Sequence, residues 1–221
     1  MTDIPAPRPL SERLEELSQL ESKLIRDLGA VMVPGGSWKV DEMILASVKR
    51  SLGLARGFRM MIEDENFTCA APLVRLQLDC ALRLGALSMV ADPEAFAAAM
   101  MTGEKMDKWK SDNGQRMTDR YLVNRLKPTM PWVEGTYNDA CEFVHLSSRF
   151  LHNSIARLDE EKRMVYYFIS AQDPARDGEA KYYQAVEAFR RSFIIASEFG
   201  LIYLRDRKTK LEAVVSNQPD C

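Results

Sequence analysis

From about residue 69 to residue 91 the sequence is apolar nearly all round, and this stretch constrains the fold more than any other. A helix without a broad polar face needs neighbours on every side, so it is expected to be central. Pro72 falls in its first turns, where a missing N–H is tolerated. The exceptions to its apolar character are ordered. Arg75, Asp79 and Arg83 stand at i, i+4 and i+8, on one face, where the carboxylate can pair with either guanidinium. Charges in such a helix need partners or water. Two readings follow: an internal ion-pair ladder that joins helices, or a guanidinium presented to an anionic ligand in a cleft.

The rest of the chain supplies helices to surround this one. Leu10, Leu14, Leu17, Leu20, Leu24, Leu28 and Val31 recur at three-to-four-residue steps behind Ser11, a candidate cap. That stripe suits either a core helix or a coiled-coil dimerisation arm. After the break at residues 34–37, Asp41 can cap a second helix that reaches about Glu63, and Gly53 and Gly57 on one face predict a close neighbour. Asp92, Pro93 and Glu94 start a short helix that stops before Gly103. A turn at residues 112–114 precedes a helix over about 118–126, and Pro131 starts a long one reaching about His152. Residues 155–158 and 164–169 flank an acidic turn and read as a hairpin, because MVYYFI is β-branched and aromatic. Behind Asp177 and Gly178 a final helix carries Tyr182, Val186, Phe189, Phe193, Ala196, Gly200 and Leu204. The expected fold is mainly α, a multi-helix bundle with a small β-hairpin near residues 155–169. The expected organisation is a flexible N-terminus (1–9), a single helical domain (10–208) and a frayed C-terminal tail (209–221).

At 221 residues and 46% hydrophobic, the chain can bury one sizeable core. With 30 Lys and Arg against 32 Asp and Glu, no global field draws polyanions to it. The opening MTDIPAPRPL lacks the apolar core of a secretory signal, and the apolar run at 193–204 contains Glu198 and is far too short to span a bilayer. A cytoplasmic protein without a membrane segment is expected. Cys69, Cys80, Cys141 and Cys221 show no CxxC pair or zinc spacing, and the common nucleotide, metalloprotease and hydrolase motifs do not occur. No metal and no cofactor are expected.

The chain has 2 histidines, and Glu142, His145, Arg149 and His152 follow at steps of three, four and three, on one face if their helix is continuous. An imidazole beside a guanidinium suits phosphodiester cleavage, the His moving the proton and the Arg stabilising charge on phosphate. The same residues suit a polar helix face bonded to backbone or to Tyr137. A basic stretch, Lys105, Lys108, Lys110, Arg116, Arg120, Arg125 and Lys127, is interleaved with Trp109 and Tyr121. It could track an RNA strand or form a solvated helix and loop.

GQRMTDRYLVNRL (114–126), PWVEGTY (131–137) and VHLSSRFLHNS (144–154) together resemble a family of uncharacterised bacterial helical proteins. PLVRLQLDCALRL (72–84) looks like the Arg-x3-acid helix of related domains of unknown function. The resemblance covers about half the chain and implies a helical fold. A fainter similarity is to HEPN domains, helical nucleotide-binding or ribonuclease modules of toxin and antiphage systems marked by Arg, four to six residues, then His. Here two residues separate Arg149 from His152.

These readings give two functional expectations. One is a helical interaction or ligand-binding protein without catalysis, with Arg75, Asp79, Arg83 and Tyr137 as ligand contacts and an unknown protein or a small anionic ligand as partner. The other is an HEPN-like ribonuclease or nucleotide-binding protein that uses His152, Arg149, His145 and Glu142, with RNA as partner. A homodimer fits either.

Overall fold

The computed structural model describes residues 9–32, 38–145, 154–173 and 180–216. Its helices are α1 (Leu10–Val31), α2 (Lys39–Glu63), α3 (Phe67–Ala86), α4 (Pro93–Met101), α5 (Asp119–Leu126), α6 (Trp132–Val144) and α7 (Ala180–Ser216). Strands β1 (Ile155–Asp159) and β2 (Met164–Tyr167) pair antiparallel. The fold is mainly α with a small hairpin, as the periodicity predicts.

Several helix starts follow local chemistry. Asn66 accepts from the Cys69 N–H at 3.1 Å, Asp92 from Ala95 at 3.0 Å and Thr118 from Tyr121 at 3.2 Å, each satisfying an otherwise orphaned donor. Two expected caps behave differently. Ser11 lies inside α1, which starts behind Pro9 without a side-chain cap. Asp41 is the third residue of α2 and accepts from the Trp38 N–H at 3.3 Å. The start of α2 is also capped from a distance, since Glu94 of α4 accepts from the Lys39 N–H at 2.9 Å and the Val40 N–H at 3.3 Å.

Contacts at both ends of each helix fix the directions of the bundle. α1 runs with α7: Arg13 donates to the Tyr183 hydroxyl at 3.0 Å near one end, and Lys208 to the Ala30 carbonyl at 3.0 Å near the other. α2 runs against α7, with the Phe58 and Phe189 rings stacked at 4.3 Å at one end and Asp41 paired with Arg207 at the other. α3 runs with α7, Phe67 meeting Tyr182 and Gly85 meeting Phe199. Adjacent parallel elements need a long crossover. Here α4, α5, α6 and the hairpin lie within it.

Leu14, Leu17, Leu24 and Val31 are buried, so the leucine stripe of α1 is a core face rather than a free arm. Phe58, Leu78, Leu82, Phe189 and Phe193 form the centre with them. The close approach expected at Gly53 and Gly57 is elsewhere. A Cβ at Gly53 would meet nothing within 4 Å and one at Gly57 only Leu73 at 3.9 Å, whereas at Gly85 it would lie 2.9 Å from the Phe199 ring and at Gly200 3.1 Å from Ile44.

Two helix ends also differ from expectation. α6 ends at Val144, because His145 is extended (φ −114°, ψ 158°). Its last anchored residue is Phe143, edge-on to Phe67 at 5.2 Å, while Val144 and His145 are exposed, so tertiary packing no longer holds the helix there. α7 continues to Ser216, past residue 208, with Lys210 and Asp206 paired at 2.6 Å in its final turns.

Candidate functional site

The flank of α3 that faces α2, α5 and α6 carries Arg75, Asp79 and Arg83. Asp79, only 8% exposed, is the shared anion. Arg83 Nη2 lies 2.9 Å from Asp79 Oδ1 and its Nε donates to Oδ2 at 3.2 Å, while Arg50 of α2 donates to Oδ2 at 3.3 Å. Arg75 Nη1 is 3.9 Å from Oδ1, and the main partner of Arg75 is Asp119, the first residue of α5. The Arg75 guanidinium also lies over the Tyr137 ring of α6 at 4.6 Å, and Arg120 lies 5.2 Å from the same ring. Burial is the strongest single influence on Arg75 and opposes its charge, but Cys141, Asp119 and Asp79 together outweigh it and raise the guanidinium pKa.

Three guanidinia therefore share two carboxylates, and the ladder ties α3 to α2 and α5, with Tyr137 adding α6. The carboxylates already hold the cations that an anionic ligand would need. Of the Arg83 nitrogens, Nη1 rests on Met106 Sδ at 3.2 Å, a weak acceptor.

On the neighbouring side of the α3–α6 seam lies a cavity of about 680 Å³, between α3, α6 and α7. Its width comes from small side chains: Ala71 on α3, Ala140 on α6, and Ala185 and Ala188 on α7 face a space that their Cβ atoms do not fill. Phe67, Val74 and Phe143 complete the apolar wall, and Thr136, Asp139, Lys181 and Gln184 form the polar part of the lining. Asp173 braces this end of the bundle. It accepts from the Phe67 N–H at 3.2 Å and from the Tyr182 hydroxyl, and pairs with Lys181 at 3.0 Å, so one carboxylate joins the starts of α3 and α7. The Lys181 ammonium also lies 5.1 Å from the Phe67 ring and 5.3 Å from the Tyr182 ring.

The structure brings together Arg75, Asp79, Arg83 and Tyr137, the ligand candidates read from sequence. It does not extend α6 through the histidine face. Glu142 is in the last turn of α6 and His145 is past its end, both exposed, and Arg149 and His152 lie outside the described residues. Of the six that are described, none lines the cavity. The aromatics of the basic stretch are engaged within the fold: Trp109 is edge-on to Phe96 at 5.4 Å, and the Tyr121 hydroxyl bonds Ser111 at 3.0 Å and Asn113 at 3.1 Å. Among the described residues, no group of three His, Cys, Asp or Glu side chains could hold a metal ion, and no helix is long and apolar enough to cross a membrane. Sequence reasoning missed the cavity because its signal is alanine, which is also the best helix former and so marks nothing by itself. Compared with known proteins, the chain matches no family model, no curated protein and no solved structure.

Proposed function

We propose that the chain is a helical binding protein without catalytic turnover, whose small-molecule ligand occupies the cavity between α3, α6 and α7. One observation carries this reading: about 680 Å³ of space with an apolar wall and a few polar groups. Ligand sites are commonly clefts of roughly 300–1,000 Å³ with this division of labour, and they often lie between the helices of a bundle. The ion-pair ladder then serves as scaffold, holding α3, α5 and α6 at fixed spacing beside the cavity.

The test is a small-molecule screen by thermal shift and amide NMR, repeated on Ala185→Phe, in which a ring fills the space. A binder that raises the Tm of the wild type and is lost in the folded variant is the expected outcome. Binders indifferent to the substitution would remove the cavity from the argument. The HEPN-like ribonuclease reading would prevail if the wild type cut RNA and a folded His152→Ala protein did not.

A further inference from the structure

We infer that the cavity takes an uncharged, mainly apolar small molecule that carries a hydrogen-bonding group, met by Thr136 and Gln184. This rests on the binding reading above and deepens it by naming the chemistry of the ligand.

The charges and the neutral polar groups of the lining differ in how they are used. Lys181 is held by Asp173 at 3.0 Å and lies against two aromatic rings, so its charge is matched inside the protein. Asp173 cannot easily release it, because the same carboxylate bonds the first N–H of α3 and the Tyr182 hydroxyl of α7. Asp139 is likewise engaged within the chain. Thr136 and Gln184, by contrast, line the cavity without a side-chain hydrogen bond to any described residue. The lining thus offers a ligand neutral donors and acceptors at Thr136 and Gln184, while the Lys181 charge is already answered by Asp173 and Asp139 has a partner within the chain.

Thr136 is half-buried and Gln184 exposed, so a head group beside them gives up part of its water, and an ionised one does so without gaining a counter-ion, the costlier exchange. A hydroxyl or amide loses less on leaving water and recovers it from Thr136 and Gln184. The body of the molecule lies against Phe67, Val74 and Phe143, where ring faces and a branched aliphatic reward apolar area.

The experiment uses four probes that share one ring: indole-3-acetamide, 3-methylindole, indole-3-acetate and tryptamine, titrated into the full chain at pH 7 and followed by amide NMR. The acetamide is expected to bind at least about tenfold more tightly than the acetate or the amine, with 3-methylindole between. Thr136→Val should remove the advantage of the acetamide over 3-methylindole and leave the latter unchanged. Ala185→Phe, or Ala71→Leu on the facing helix should the first fail to fold, should abolish all binding. If the acetate or the amine bound as tightly as the acetamide, with binding still lost on filling the cavity, the ligand class would be overturned while the binding reading stood. If no probe bound at millimolar concentration, or if binding survived both filled variants, both would fail.

Discussion

The two flanks of α3 are built on opposite principles. Toward α2, α5 and α6 it presents Arg75, Asp79 and Arg83, and each carboxylate oxygen there pairs with at least one guanidinium. Toward α7 it is apolar, and that seam changes along its length. At the C-terminal end of α3, Gly85 meets the Phe199 ring of α7, too close for a Cβ without adjustment. At the N-terminal end Ala71 and Val74 face Ala185 and Ala188 across open space. The residues that look chemically active thus pair with one another, while the residues that look inert line a cavity. A charged cluster in an apolar helix must be answered by the fold itself, which uses up its capacity for anything else. A row of alanines makes no such demand.

The largest expected effect tests whether the polar flank is structural. Asp79→Ala removes the anion shared by Arg50, Arg75 and Arg83 and should cost about 3 kcal/mol in urea denaturation, near the low end for a broken buried pair, because Arg75 keeps Asp119 and the other two can hydrate. A loss under about 1 kcal/mol would place the ladder among exposed pairs and leave its guanidinia available to a ligand.

At the close end of the apolar flank, Gly85→Ala sets a methyl 2.9 Å from the Phe199 ring. The ring must move, and a loss of about 1–2 kcal/mol is expected from the same denaturation measurement. An unchanged midpoint would show that the seam is loose there too, and the contrast between its ends would collapse.

Arg83→Met should cost less, about 1 kcal/mol or under. It removes a cation that is 34% exposed while Asp79 retains Arg50 and Arg75, and the thioether chain preserves much of the packing. The difference between removing the shared anion and removing one of its cations is itself the measure of how the ladder works. A cost equal to that of Asp79→Ala would mean that Arg83 alone holds the carboxylate.

What could be read in advance follows the range of the interactions. The cap at Asp92 was legible because it is closed by an N–H three residues away. The Arg75–Asp79–Arg83 face was legible for the same reason, but Asp119 and Arg50 were not, since they reach the cluster from other helices. Gly53 and Gly200 have the same composition and opposite roles: the first is exposed, the second faces Ile44. The end of α6 was misread because its apolar spacing continues in sequence, while Val144 and His145 are exposed and His145 is extended. Cavities are the extreme case, defined by what several distant segments leave out.

The smallest expected effect has the opposite sign and decides whether the open end of the seam is open. Ala185 is buried on α7 and lines the cavity, so Ala185→Leu adds three carbons to space that the fold leaves unfilled. Each buried methylene contributes about 0.8 kcal/mol of transfer free energy. Ordering a leucine side chain costs roughly 0.5–1 kcal/mol in return, and imperfect fit takes more. The balance is a gain of about 0.5–1 kcal/mol, read as a higher urea midpoint at unchanged slope. The same substitution should weaken 3-methylindole binding, because the new side chain and the probe compete for one volume. A loss above about 1 kcal/mol would mean that the alanines of α3 and α7 are as tightly opposed as Gly85 and Phe199, and the two ends of the seam would then be alike.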